Sequence, residues 1–337
     1  MDRCWLIIDQ IEQSHDMIVK DETSYYRMAL LLLDNAVEVL MYRTIQNELQ
    51  YSEWYSTLAN NVKGLPQNDE IKKIHDDIHP KIISPKRKKQ ILKYFDEKTK
   101  FLSEERYYVE RPIARVLRII HRYRNELYHR DVIRKEIIRP IVYLSYEIAC
   151  DLLSKLKPGS YRLLDDQQTR IRITKYRVES GFDFARNGIF SIAEQLKNKL
   201  LIELSDLKTQ LVEHLNDRIE NFESNLDFLM TDGFHITSQE EALRQVQFFE
   251  NWKKVAHERH PHFQHDLNTY VSKYNMNSIE TWKESVARLQ EHASKLALID
   301  GFAQVEETFE ELESLVTNAA IDLDGYIQSE VDRLRGK

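Results

Sequence analysis

The sequence predicts an all-α protein, and two observations support this fold class. Only 8 Gly and 7 Pro occur among 337 residues, too few for the many turns that a sheet protein needs. Most long segments repeat their apolar residues every three or four positions, which is the period of an amphipathic helix. The segment 157–160, with the sequence Lys-Pro-Gly-Ser, is the clearest boundary signal. We therefore expect a helical domain over residues 1–160, a linker over 161–180 and a long-helix domain over 181–337.

The first domain is predicted to begin with amphipathic helices. Residues 2–19 form a short one, and a second helix, capped by Asp21 or Thr23, runs to about Leu49. A further helix is expected over Ser52–Val62.

Three more helices are predicted in the rest of this domain. The first is basic and opens with the run 86–89. The second begins near Val109 and carries Pro112 in its first turn, where the missing N–H costs little. The third covers Ile133–Leu156 and would close a helical bundle.

Longer helices are predicted in the second domain. Leucines and other apolar residues from Leu196 to Leu229 step by three or four and predict one helix of roughly 40 residues, ended near Gly233. A later stripe from Phe302 to Leu323 alternates steps of three and four like a coiled-coil seam. Such stripes are expected to pack on each other in an antiparallel bundle, or on a second chain.

Charge is distributed unevenly along the chain. The net charge is −7, but residues 81–139 hold 18 Lys and Arg against 8 Asp and Glu, whereas residues 176–337 hold 17 against 29. A basic segment suits a phosphate backbone better than the overall charge suggests, although a solvated helix face explains the same residues equally well.

Hydropathy and cysteine usage indicate whether the protein is expected in a membrane, outside the cell or in the cytoplasm. No apolar run reaches the roughly 18 residues that span a bilayer, and the N-terminal apolar segment is too short for a signal peptide. Cys4 and Cys150 each lie on an apolar helical face, which predicts two buried free thiols. We expect a cytoplasmic protein without membrane association.

One stretch combines side chains that are capable of catalysis: Arg124-Asn125-Glu126-Leu127-Tyr128-His129. Arg124 falls on the apolar stripe of its helix, where a charge must find partners. Asn125 and His129 are four residues apart and therefore share a helix face. A cation, an amide and a group that titrates near neutral pH thus lie within six residues.

This spacing of Arg, a polar residue and His resembles the motif of the HEPN family, an all-helical fold found in many endoribonucleases. The run from Tyr25 to Leu40 resembles the long early helix of the family, and the segment Ile133–Leu156 resembles its closing helix. The resemblance covers roughly residues 20–157. Some toxin members carry a Tyr two residues after the His; here that position is Asp131.

The resemblance implies an endoribonuclease that needs no metal or other cofactor and leaves a 2′,3′-cyclic phosphate, in a cleft between two copies of the motif. It implies a homodimer, RNA as substrate, and a role as a toxin or an anti-phage effector with an antitoxin or other regulatory partner. Arg124, Asn125 and His129 would be catalytic, with Glu38 in support. Candidate RNA-binding residues are Lys86, Arg87, Lys88, Lys89, Arg122 and Arg130.

Two other interpretations remain open. Arg124 could instead pair with Glu38 or Glu126, and His129 could be a partly buried residue whose hydrogen bonds are made within the protein. The chain would then be a non-catalytic scaffold that uses the same fold for dimerisation. Four histidines lie within residues 257–265, but Pro261 interrupts them, so a surface cluster is favoured over a metal site.

Overall fold

The computed structural model describes residues 3–63, 69–130, 135–156, 171, 174–177, 187–255, 267 and 269–335. Every regular element in these ranges is helical, which confirms the predicted all-α class. The chain folds into two compact units, residues 1–203 and 204–337. The second unit thus starts later than the predicted boundary at residue 181. Of the predicted linker, only residues 171 and 174–177 are described. The histidine cluster at 257–265 lies outside the described residues.

The first unit is built around one 41-residue helix, α2. Its described helices are α1 (Arg3–Ile18), α2 (Thr23–Lys63), α3 (Asp69–Ile78), α4 (Pro85–Lys93), α5 (Phe95–Lys100), α6 (Arg111–Arg130), α7 (Lys135–Lys155) and α8 (Ile189–Lys197). Helices α1 and α7 pack most extensively on α2, and α5 and α6 pack on it as well. The core lies between these helices and includes fully buried Trp5, Leu40 and Phe101.

Two details of the first unit differ from the predicted elements. Residues 23–63 form one helix rather than two, because neither Gly nor Pro occurs near residues 49–52 to interrupt it. The basic helix α4 ends at Lys93, because the backbone of Tyr94 is extended, and a separate short helix α5 follows. Ser84 caps α4 by accepting a hydrogen bond from the backbone N–H of Arg87 at 3.2 Å.

The second unit consists of long helices, as predicted. They are α9 (Leu204–Phe228), α10 (Gln239–Val255), α11 (Met276–Leu289) and α12 (Lys295–Leu334). The stripe on α12, including Phe302, Phe309 and Val316, is buried against α9 and α11 within the same unit. Arg218 lies in this core and pairs with Glu306, which is fully buried, and with Glu313.

The predicted helix from Leu196 to Leu229 is wrong as a single element. Helix α8 ends at Lys197, and α9 starts at Leu204. The hydroxyl of Tyr146 on α7 donates to the backbone oxygen of Leu196 at 2.8 Å, so α8 belongs to the core of the first unit.

Candidate functional site

The motif helix α6 contributes two polar side chains to a charged cluster inside the first unit. We use the name Asp34 cluster for Asp34 and Glu38 on α2, Lys98 on α5, and His121 and Arg124 on α6. Asp34 and Glu38 are four residues apart and therefore share one face of α2. His121 and Arg124 are three apart and share one face of α6.

Asp34 is the centre of this cluster. It is only 3% exposed, although it follows the apolar run Leu30–Leu33. The Nδ1 atom of His121 lies 3.1 and 3.2 Å from its two carboxylate oxygens. The Nε atom of Arg124 lies 3.1 Å from Oδ2 and forms an ion pair with it, but the two groups are not aligned as a hydrogen bond. A buried carboxylate needs such partners, because its desolvation is otherwise unfavourable.

The imidazole of His121 is held from two directions. Its Nδ1 faces Asp34, and its ring stacks on Phe95 with a centroid distance of 3.8 Å and an interplanar angle of 1°. The carboxylate favours the tautomer that carries a proton on Nδ1. His121 is therefore oriented much as a histidine in an Asp–His pair, with a side chain that is 18% exposed.

Glu38 extends the cluster towards α5. Lys98, which is 6% exposed, donates from Nζ to Glu38 Oε1 at 2.6 Å. Burial by itself raises the pKa of Glu38. The hydrogen bond from Lys98 and the charges of Lys98, His121 and Arg124 together outweigh burial and hold that pKa below its ordinary value. Glu38 therefore stays ionised, and its direct partner is Lys98 rather than Arg124.

Of the predicted catalytic residues, Arg124 belongs to the cluster, and Asn125 and His129 lie beyond it on α6. The side chain of Arg124 is 25% exposed, and its NH1 donates to Asn125 Oδ1 at 2.8 Å. The guanidinium lies 6.0 Å from the ring centre of Tyr128, and Tyr128 meets the ring of His129 edge-on at 5.0 Å. His129 is exposed. Arg124 is thus anchored to α2, whereas His129 faces solvent.

The predicted RNA-binding residues fall into different environments. Arg87 pairs with Glu97 and with Glu105, and Lys88 pairs with Glu53. Lys86 and Lys89 are exposed. Arg122 lies 5.7 Å from the ring centre of Tyr123, and the side chain of Arg130 lies outside the described part. Arg87 is committed to two carboxylates within the protein, so Lys86 and Lys89 are the more accessible members of the basic run.

Three members of the cluster were not predicted from the sequence: Asp34, His121 and Lys98. A signal for Asp34 exists, since an acidic residue four positions after Leu30 falls on the buried face of α2. His121 lies three residues before Arg124 and could have been found as its neighbour on the helix. The partnership of these residues depends on how α2 and α6 pack, which spacing along one helix does not contain.

Comparisons with protein-family models, with curated proteins and with solved structures found no match to this chain. Among the described residues, no helix is long and apolar enough to cross a membrane. Cys4 and Cys150 are both buried and neither forms a disulfide, as predicted.

Proposed function

We propose that the protein is a metal-independent endoribonuclease in which Arg124, Asn125 and His129 act on the RNA phosphate. The observation that carries this proposal is the anchored guanidinium. Asp34 holds Arg124 at Nε and Asn125 receives its NH1, while the side chain remains partly exposed within two turns of the exposed His129. Pre-oriented donors of this kind stabilise charge as it develops on a phosphate.

The reaction needs no external nucleophile, because RNA supplies its own. The 2′-oxygen attacks phosphorus and the bond to the 5′-oxygen breaks, which leaves a 2′,3′-cyclic phosphate and a 5′-hydroxyl. An imidazole takes the proton from the 2′-hydroxyl, and an imidazolium returns one to the leaving oxygen. The planar fork of Arg124 suits the non-bridging phosphate oxygens.

Helix geometry favours a dimeric site. Arg124 and His129 are five residues apart and so differ by about 140° around the axis of α6. Because Arg124 is directed to α2, one chain does not direct both groups to one point. Two copies of α6 in a homodimer would combine the arginine of one with the histidine of the other, and would supply both a base and an acid. We place such an enzyme among toxins or antiviral effectors, controlled by a protein partner.

The test is cleavage of total RNA and tRNA in excess EDTA, with analysis of the new 3′ ends. We expect cyclic phosphate ends, and a loss of about 10²–10⁴-fold in rate for His129→Ala, the range of general acid–base catalysis. His79→Ala is a matched control, because His79 is also exposed and lies in the short turn after α3. Cleavage that persists unchanged in His129→Ala would contradict the assignment.

The ion pair between Arg124 and Asp34 also favours a second function, a non-catalytic interaction module. A structural arginine would be anchored in the same way. This alternative expects Arg124→Ala to destabilise the fold without any change in RNA chemistry. The enzyme expects Arg124→Lys to keep much of the stability and to lose cleavage, since an ammonium does not reproduce the bidentate fork.

A further inference from the structure

A basic cleft lies along the N-terminal half of α6, next to the Asp34 cluster but formed by other residues. A cleft of about 130 Å³ opens between α6 and the segment that continues α5. Its lining includes four cationic side chains and one carboxylate: Lys100, Arg111, Arg115, Arg118 and Glu104. We propose that this cleft binds a phosphate group, and the proposal is independent of the ribonuclease activity proposed above.

Helix geometry places the three arginines together. Arg111, Arg115 and Arg118 are separated by four and three residues, so they lie within about 60° of one another around the helix axis. Guanidinium groups form forks of donors that match phosphate oxygens, and a phosphate monoester carries about two negative charges. A carboxylate carries only one charge. The excess of cations therefore favours phosphate over a simple carboxylate.

The opposite wall is an irregular helical turn. Residues 101–105 form a π-helical turn in which the N–H of Arg106 bonds to the oxygen of Phe101 at 3.0 Å. Such turns are rare and occur frequently at functional sites. The turn brings Ser103 and Glu104 to the cleft, together with Thr99. The hydroxyls of Thr99 and Ser103 donate to backbone oxygens at 2.8 Å, so the donors for a phosphate are the cationic groups.

Neighbouring carboxylates are largely engaged with other cations. Glu97 and Glu105 both bind Arg87, and Glu110 binds Lys155 at 2.8 Å. Lys100 keeps only a long contact to Glu97, at 3.5 Å. Glu97, Glu105 and Glu110 do not line the cleft, and Glu104 is the acidic residue in its described lining.

The position of Arg111 supports a binding role rather than a structural one. It is exposed and begins α6, whose first turn contains no acidic residue. A cation at a helix N-terminus opposes the helix dipole. Replacing Arg111 by a neutral residue should therefore not weaken the helix. A loss of phosphate binding in that variant would then reflect a lost contact with phosphate rather than a destabilised fold.

The experiment measures binding by the full chain of two probes, inorganic phosphate by calorimetry and a fluorescent 2′-O-methyl RNA 12-mer without terminal phosphates by anisotropy. The second probe has no 2′-hydroxyl and is not cleaved, so binding is measured separately from the proposed catalysis. Acetate at equal ionic strength is the control ligand. The two probes distinguish a free phosphate from the phosphates of an RNA backbone as the natural source.

We expect Arg111→Gln and Arg118→Gln each to weaken binding of at least one probe about tenfold, the scale of one lost charge-assisted contact. If RNA is the ligand, each change should also reduce the slope of log K against log salt by about 0.7. Arg288→Gln, an exposed helical arginine of the second unit, is the matched control and should bind like the native chain. Phosphate and RNA binding that are both absent, or that are unchanged in Arg111→Gln, would overturn the proposal.

Discussion

The strongest structural prediction concerns Asp34, the buried centre of the cluster. Asp34→Ala removes the carboxylate that pairs with both His121 and Arg124. Removal of one partner of a buried pair costs about 3–5 kcal/mol. The side chains of His121 and Arg124 are 18% and 25% exposed, so water replaces part of the lost interaction. We therefore expect a decrease of about 2–3 kcal/mol in the free energy of unfolding.

The isosteric change Asp34→Asn separates charge from shape. The amide fills the same space and keeps one acceptor oxygen, but it no longer neutralises the guanidinium. We expect a smaller loss of about 1–2 kcal/mol, because the amide keeps one acceptor and hydrogen bonds contribute roughly 0.5–3 kcal/mol each. Asp77→Ala on α3 is the matched control, because Asp77 is exposed on a helix, and it should stay within about 0.5 kcal/mol of the native chain.

The assay is urea unfolding followed by circular dichroism, with two transitions fitted because the chain has two units. A double-mutant cycle with Arg124→Ala then isolates the pairwise term, which should exceed about 1 kcal/mol for groups in direct contact. If Asp34→Ala is no less stable than Asp77→Ala, or if the cycle shows no coupling, the ion pair does not anchor Arg124. The argument for a pre-oriented guanidinium would then fail.

Two further predictions concern other charged pairs. The pKa of Glu38 is lowered from 4.5 in the folded state, so its pairing with Lys98 stabilises the fold above that pH and is lost as the pH falls through the folded pKa. Glu38→Gln should therefore show a flatter decline of stability below about pH 4.5 than the native chain, and an unchanged decline would contradict this account. In the second unit, Glu306→Ala should cost about 3 kcal/mol, because it takes one of two carboxylates from Arg218 and leaves a void. The exposed neighbour Glu307 provides the control, and equal urea midpoints for the two alanine variants would refute this prediction.

The fold class followed from the sequence because helical periodicity is a local property. The boundaries were less predictable for a physical reason. The leucine repeat continues through residues 198–203 with Leu200, which is half-buried although the backbone there is not helical. Apolar spacing reports which side chains leave water, and a bent segment can bury them as well as a helix. The same repeat therefore described two helices, α8 and α9, as one.

The candidate site was predictable only in part. The shared helix face of Asn125 and His129 follows from their spacing of four residues, and the position of Arg124 on the apolar stripe predicts that it needs a partner. The identity of that partner depends on the packing of α6 against α2. Asp34 and Glu38 are one turn apart on α2, so the sequence alone does not tell which of them pairs with Arg124. In the folded protein Arg124 pairs with Asp34, and Lys98 pairs with Glu38.

The two proposals meet in the geometry of α6 and make one joint prediction. Arg111 and His129 are eighteen residues apart, five full turns, so they lie on one line along the helix about 27 Å apart. A dinucleotide is too short to reach both, whereas a longer RNA can. Arg111→Gln should therefore slow the cleavage of a 20-mer about tenfold and leave the cleavage of a dinucleotide unchanged. An equal decrease in rate for both substrates would show that Arg111 acts through the fold or the dimer rather than by binding RNA. It would refute the idea that one RNA contacts both the phosphate cleft and the catalytic motif.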